Sequence, residues 1–404
     1  MSRILQIVEY EPFSVEVLRN SGFSEQEARK FYKEISDFAQ ENQNQFLAYS
    51  RRGILKAQNY AGIIQTKSGY VLEILPKIAK NTNIAEAKEV LIRMLKSLTN
   101  SPFRTQQKAD LKTRRMPLWE IFIQMFLDEL DRLIKTSIKS DYIPQRANQS
   151  YLKGKLLIHK QINQNTVHKE HFYIEYDEYL PDRVENRILK TALLRLYRQT
   201  RNFSTQKQIR RMLFIFDNIQ PVHNIAAAFS KVKKDRTISH YEKALLWAKL
   251  FLRSQSFTPY HGNSIAFALL FDMNQLFESY VAKIIKQLCR DKKVKLQHAA
   301  YYLFDNPRRF RLKPDIVINN GEIILDTKWK IITEEKDISQ ADLYQIFAYA
   351  AKYPLAEQIL LVYPLMEKVS LPEYSTVINA RNIKFTPIFF DLQTDKFYPF
   401  TPCV

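Results

Sequence analysis

Residues 314–328 read Pro-Asp-Ile-Val-Ile-Asn-Asn-Gly-Glu-Ile-Ile-Leu-Asp-Thr-Lys, with two carboxylates and a lysine at a spacing suited to phosphate chemistry. Asn320-Gly321 lies between β-branched runs, the pattern of a two-residue hairpin turn with positive φ at both positions. Counting outward from that turn, residue 318 faces 323 and Asp315 faces Asp326. Directly opposed side chains have Cβ atoms about 4.5–5.5 Å apart, and like charges so placed repel. A positive charge is therefore expected between them, and a hard divalent cation such as Mg²⁺ fits, because it accepts carboxylate oxygens and keeps part of its water shell. Lys328 falls on the same face, two residues past Asp326. Similar letters occur in solvated surface hairpins. Here the flanks Ile316-Val317-Ile318 and Ile323-Ile324-Leu325 are near-continuous apolar runs, as in strands covered on both sides.

Other elements must bring further groups to this hairpin. Residues 341–349 have helical character, with Gln345 and Tyr349 one turn apart on one face. Upstream, Asp272 opens a helix with the apolar stripe Phe277, Val281, Ile284, Ile285 and Leu288. Glu278 borders that stripe, where it can reach a sheet edge or serve as an ordinary boundary glutamate. Two basic clusters adjoin the hairpin: Arg290, Lys292, Lys293 and Lys295, then Arg308, Arg309, Arg311 and Lys313, interleaved with Tyr301, Tyr302, Phe304 and Phe310. Each cation that neutralises a phosphate releases counterions, so a DNA track is expected beside the carboxylates. Lys330 lies one face-repeat beyond Lys328, placed for a phosphate or simply for solvent. A third cluster, Lys231, Lys233, Lys234 and Arg236, reads as a charged loop.

The Asp…Asp-x-Lys hairpin followed by Gln-x-x-x-Tyr resembles the PD-(D/E)xK nuclease superfamily. In order, 271–278 (Phe-Asp-Met-Asn-Gln-Leu-Phe-Glu), 312–316 (Leu-Lys-Pro-Asp-Ile), 325–330 (Leu-Asp-Thr-Lys-Trp-Lys) and 342–345 (Asp-Leu-Tyr-Gln) are similar to the McrC family. That family supplies the nuclease subunit of McrBC-type modification-dependent restriction systems. Residues 69–78 (Gly-Tyr-Val-Leu-Glu-Ile-Leu-Pro-Lys-Ile) and 183–190 (Arg-Val-Glu-Asn-Arg-Ile-Leu-Lys) also resemble it, whereas 86–150 and 200–260 carry no matching motif. The resemblance implies that Asp315, Asp326, the Thr327 carbonyl and Glu278 hold Mg²⁺. It further implies that Lys328 orients water or stabilises charge on phosphorus, and that Gln345 holds the phosphate or the water. Arg308, Arg309, Arg311, Lys313, Lys330 and Tyr349 are the expected contacts to double-stranded, methylated DNA. The implied partner is an AAA+ GTPase ring that recognises modified cytosine and binds the GTP itself. Two other functions fit the sequence: a free-standing nuclease in repair or recombination, and a non-catalytic DNA-binding adaptor that activates an NTPase.

Composition agrees with a polyanion partner. The 404 residues carry 61 Lys and Arg against 42 Asp and Glu, a net charge of +19. RNA or anionic lipid would suit that balance equally. Cys289 and Cys403 are the two cysteines, so no disulfide framework is expected and a reducing, cytoplasmic setting is. Charge interrupts the first residues before a signal-peptide core, and no apolar run approaches the ~20 residues of a membrane span. The histidines at 159, 168, 171, 223, 240, 261 and 298 never take zinc spacing, and no phosphate-binding Gly-x-x-x-x-Gly-Lys occurs.

The expected fold is mixed α/β. Residues 1–85 read as a β-rich module with strands at 4–8, 54–57, 60–66 and 70–75, a tight turn at 67–69, and one helix capped by Ser24 and Glu27. Residues 86–260 read as mainly helical, with strands near 152–159 and 171–176. These two blocks are the expected partner-docking arm. Residues 261–404 read as the PD-(D/E)xK endonuclease core, with a buried strand at 359–363.

Overall fold

A computed structural model describes residues 4–51, 53–80, 83–98, 101–103, 116–232, 236–253, 265–367, 369 and 371–402. His261, Cys403, Lys233, Lys234 and the expected boundary at 260/261 lie outside these residues. The architecture is mixed α/β, in two compact units: residues 3–118 together with 256–404, and residues 119–255.

In the first unit, a four-stranded sheet has the order Ile4–Val8, Val71–Leu75, Tyr60–Thr66, Ile265–Asp272. Ile4–Val8 runs parallel to Val71–Leu75, and the other pairings are antiparallel. Every residue of Val71–Leu75 is buried, as its apolar run requires of an inner strand. The helix Glu25–Glu41 starts at the expected reciprocal capping box between Ser24 and Glu27. Its stripe of Ala28, Phe31, Ile35 and Phe38 joins a core with Leu5, Ile7, Leu72 and Ile74. Gly62 has φ 142°. A side chain there would strike the Leu269 carbonyl of the neighbouring strand, so only glycine lets the two backbones close.

The same unit contains a seven-stranded mixed sheet, ordered Val294–Leu296, Ile316–Ile318, Ile323–Thr327, Gln358–Pro364, Arg381–Asp391, Tyr374–Ile378, with Lys396–Tyr398 also on Arg381–Asp391. Ile323–Thr327, Gln358–Pro364 and Arg381–Asp391 are mutually parallel neighbours, and the remaining pairings are antiparallel. The helix Gln340–Lys352 covers the face bearing Val317, Ile324, Ile359, Leu361 and Phe389, using Ile346, Tyr349 and Ala350. The helix Met273–Leu288 packs Phe277 and Tyr280 on Phe390, which alternates with Phe389 and so faces the other side. Its C-terminal cap, Cys289, is buried.

A buried polar knot ties the first sheet to the second. Trp329 Nε1 donates to both oxygens of Glu9, at 3.2 and 3.1 Å, and the Lys77 amide donates to the same carboxylate at 2.8 Å. The Lys77 ammonium donates to the Trp329 carbonyl and lies 5.1 Å from its ring centre. All three side chains are buried. Burial raises Glu9 to about 7, against the pull of Lys77. Trp329 directly follows Lys328, so the knot fixes the backbone that carries that lysine. Glu73, also in residues 69–78, pairs with buried Lys88 at 3.3 Å and accepts from Gln6 and the Leu118 amide.

In residues 119–255 helices prevail, including Val184–Gln199, but the strands differ from expectation. Between 152 and 159 only Lys155–Leu156 is extended, and Ile158–Gln164 is helical. Phe172–Leu180 instead pairs along its whole length with Asp141–Gln149. That strand carries Pro144 and has no buried residue; such an edge strand leaves little apolar alternation to read.

Replacing Gly62 with Ala is expected to destabilise the protein by about 3 kcal/mol through steric overlap and strain at positive φ. Urea unfolding of the variant measures this; a midpoint equal to the parent's would show that the strands can part without loss.

Candidate active site

The hairpin forms in the expected register, with Ile318 opposite Ile323 and Ile316 opposite Leu325, which places Asp315 against Asp326. Asn320 (φ 59°) and Gly321 (φ 119°) turn the chain, joined by Asn319 at φ 50°. Asp326 lies within the strand Ile323–Thr327 and is almost fully buried, while Asp315 just precedes its own strand and is partly exposed. Thr327 donates its backbone N–H (2.7 Å) and its hydroxyl (2.6 Å) to Asp315 Oδ2, which fixes that carboxylate. Parallel pairing continues past the strand through the Lys328 amide to the Val362 carbonyl.

Around Asp326 the helix Gln340–Lys352 contributes three side chains. Lys328 Nζ lies 2.7 Å from Asp326 Oδ2, donates to Gln345 Oε1 at 2.7 Å, and stands 3.7 Å from Asp342 Oδ1. Gln345 Nε2 donates to the Tyr349 hydroxyl at 2.7 Å, and both reach toward Asp326 Oδ1 at 3.4–3.5 Å. Lys328 is thus the charged partner of Asp326 Oδ2, and the longer contacts of Gln345 and Tyr349 fall on Oδ1. Tyr349 is buried, and its hydroxyl holds the Gln345 amide. The Gln-x-x-x-Tyr spacing reports a shared helical face but not which way that face points. Lys330 is engaged by Asp342 at 2.6 Å and by Ser339 at 3.2 Å.

Glu278 stands at the side of this cluster. Gln297 Nε2 donates to it at 2.8 Å, while the Gln297 amide donates to the Asp315 carbonyl at 2.7 Å, linking the two acids. Sequence reasoning missed Gln297, which carries no pattern. It also gave no role to Asp342, the buried acid between Lys328 and Lys330; its signal was the shared helical face of residues 342, 345 and 349. Arg308, Arg309, Arg311 and Lys313 lie exposed in the segment that precedes Asp315, and of these the charge of Lys313 acts on Glu278. A cavity of about 590 Å³ lies far from this chemistry in sequence, within 119–255, lined by Asp182, Arg183, Arg187 and Lys231. Arg183 and Arg187 are already paired there with acids, at 3.3 Å to Glu185 and 2.8 Å to Asp182.

The electrostatics mark a site short of positive charge. Burial, then the charge of Glu278, pushes Asp315 up to about 6 despite Thr327 and Lys328. Burial, then Asp315, pushes Asp326 up to about 6 despite Lys328. Burial likewise raises Glu278, with Gln297 and Lys313 opposing. Burial disfavours the Lys328 ammonium, but Asp326, Asp342 and Asp315 outweigh it and hold the amine charged. Among the described residues no three His, Cys, Asp or Glu side chains are close enough to form a complete metal cage. Two hard carboxylates, raised by burial and by neighbouring acids, still fit Mg²⁺. That ion commonly uses one or two carboxylates, waters and substrate phosphate.

Residues 55–364 match the family model described as McrBC 5-methylcytosine restriction system component. No curated protein matches the chain. A chain of the Thermococcus gammatolerans assembly described as McrB AAA+ hexamers with bound McrC aligns at TM-score 0.69 and 21% identity, covering 98% of this chain and 97% of that one. A chain of the McrBC complex from the same organism aligns at TM-score 0.50 and 22% identity, covering 70% of this chain and 87% of that one.

Carboxylates held above their ordinary pKa favour the folded protein fully below pH ~4, and that contribution fades as pH rises through about 6. Without divalent ions, Asp315→Asn is therefore expected to melt a few degrees higher than the parent at pH 7.5, with the gain vanishing near pH 4; a lower melting temperature at pH 7.5 would reverse the assignment. With its matched segment spanning most of its length, the chain belongs to the McrBC 5-methylcytosine restriction system component family.

Proposed function

We propose that this chain is the Mg²⁺-dependent endonuclease subunit of a GTP-driven complex that restricts DNA containing modified cytosine. The observation that carries the reading is the intact set Asp315, Asp326 and Lys328 brought together by the hairpin, with Asp326 buried and the other two half-buried, mutually charged and backed by Gln345. A non-catalytic adaptor would have no use for two repelling buried carboxylates.

In this reading Asp315 and Asp326 hold the metal, with Glu278 and the Thr327 carbonyl beside them. Bound there, Mg²⁺ supplies Lewis acidity toward the phosphate and a more acidic water. Thr327 keeps Asp315 in one rotamer through two hydrogen bonds. Lys328, held charged by three acids, stabilises the negative charge that grows on the phosphate oxygens. Gln345 is locked between Lys328 and Tyr349 and offers its amide to the attacking water or the phosphate. Asp342 restrains both Lys328 and Lys330, which limits their motion toward the carboxylates.

The partner in this reading is an AAA+ GTPase ring, because the Thermococcus gammatolerans assembly that contains the similar fold is described as McrB AAA+ hexamers with bound McrC. Residues 119–255 supply a docking surface suited to it: Tyr142, Tyr179, Ile158, Ile162 and Val167 are all more than half exposed. The unit 3–118 with 256–404 keeps the chemistry, and the DNA reaches it along Arg308, Arg309, Arg311 and Lys313.

Methylated and unmethylated plasmids incubated with Mg²⁺, with and without the AAA+ partner and GTP, test the reading. Cutting of methylated DNA only, with partner and GTP, is expected, and Lys328→Ala or Asp326→Ala should lower it by about 10²–10³-fold or more while DNA binding persists. Cutting by the chain alone would establish the free-standing nuclease. Partner GTPase activation without any cutting would establish the adaptor.

A further inference from the structure

The segment leading into Asp315 folds as a separate two-stranded ribbon, Tyr302–Asp305 against Arg308–Arg311, outside the seven-stranded sheet. Tyr302 faces Arg311, Phe304 faces Arg309 and Asp305 faces Arg308. Every residue from Leu303 to Arg311 is exposed. An isolated ribbon of this length is marginal in water, and its moorings are few. Lys352 pairs with Asp305 at 2.6 Å, and Arg311 Nε donates to the Ala299 carbonyl at 2.6 Å.

Two features set this ribbon apart from a solvated loop. Phe304 and Phe310 are 53% and 71% exposed, with ring centres 5.9 Å apart in an edge-to-face pair that nothing covers. Phe310 also sits at φ 56°, a left-handed conformation that is rare for a bulky residue. The strain holds a bare phenyl ring between Arg309 and Arg311. Asp305, the one acid of the ribbon, is already neutralised by Lys352. Apolar rings flanked by unopposed guanidinium groups suit nucleic acid, where arginines take phosphates and an apolar wedge enters a groove and loosens a base step. Arg311 and Asp315 are four positions apart, so the ribbon root lies within about 14 Å of the carboxylates even if extended. At a rise of about 3.4 Å per base pair, that is a few base pairs along one duplex.

We propose that this ribbon is a DNA wedge: Phe304 and Phe310 insert at a base step a few base pairs from the cut, while Arg308 and Arg309 clamp the flanking phosphates. The proposal rests on the nuclease reading and adds to it a way of choosing cut positions. Steps that unstack easily, such as pyrimidine–purine steps, are favoured without any hydrogen bond to a base.

The test uses the full chain in Ca²⁺ with short duplexes carrying 2-aminopurine at successive positions. The parent is expected to raise the fluorescence about twofold or more at one step, as the probe loses stacking. Phe304→Ala/Phe310→Ala should bind within about threefold of the parent, because phosphate contacts dominate affinity, yet lose the fluorescence rise. Arg308→Gln/Arg309→Gln should bind more weakly and reduce the salt slope by about two. All four side chains are exposed, so equal melting temperatures serve as the folding control. A phenylalanine double variant that deforms DNA like the parent overturns the wedge, as does one that loses only partner GTPase activation. A parent that neither binds duplex DNA nor cuts it with partner and GTP overturns the nuclease reading itself.

Discussion

Two carboxylates held against each other in a largely buried position are the constraint around which the active region is built. Left alone, Asp315 and Asp326 would repel and would lose their hydration together. The fold answers with Thr327 on one carboxylate and Lys328 on the other, and Lys328 is in turn held by Asp342 and Gln345. The compensation is incomplete, since both acids remain raised to about 6. In the proposed reading a divalent cation would relieve that residual imbalance.

Holding Lys328 still requires structure far from it in sequence. The strand Ile323–Thr327 ends at the lysine, and the next residue, Trp329, is clamped by Glu9 and Lys77 from the N-terminal sheet. Glu9 and Lys77 follow the ends of the same parallel strand pair, so both groups that hold Trp329 come from one end of that sheet. The N-terminal sheet and the sheet that carries Asp326 thus belong to one compact unit.

Local patterns carried much of this. The hairpin register follows from Asn320-Gly321 and the paired apolar runs, and the Ser24–Glu27 capping box sets the start of its helix. Gln345 reaches Lys328 because helical spacing and strand alternation are both short-range rules. What was not legible is non-local or unpatterned. Glu9 and Trp329 are 320 residues apart, and nothing in either neighbourhood announces the bond. Gln297 works through its backbone amide as much as its side chain, and amides leave no trace in sequence. The strand Asp141–Gln149 is polar, exposed and contains Pro144, so both usual strand signals are missing. Tyr349 shares the helical face of Gln345, but periodicity does not say whether a boundary aromatic points to solvent or to the core, and here it is buried.

The most direct measurement is Mn²⁺ binding to the purified chain by calorimetry at pH 6, repeated in buffers of different ionisation enthalpy. With both carboxylates near half-protonated there, the parent is predicted to bind the ion and release protons on binding, and Asp326→Ala to weaken binding by about tenfold or more. Equal Mn²⁺ affinity in the parent and Asp326→Ala, without proton release, would contradict the assignment of this carboxylate pair as the metal site.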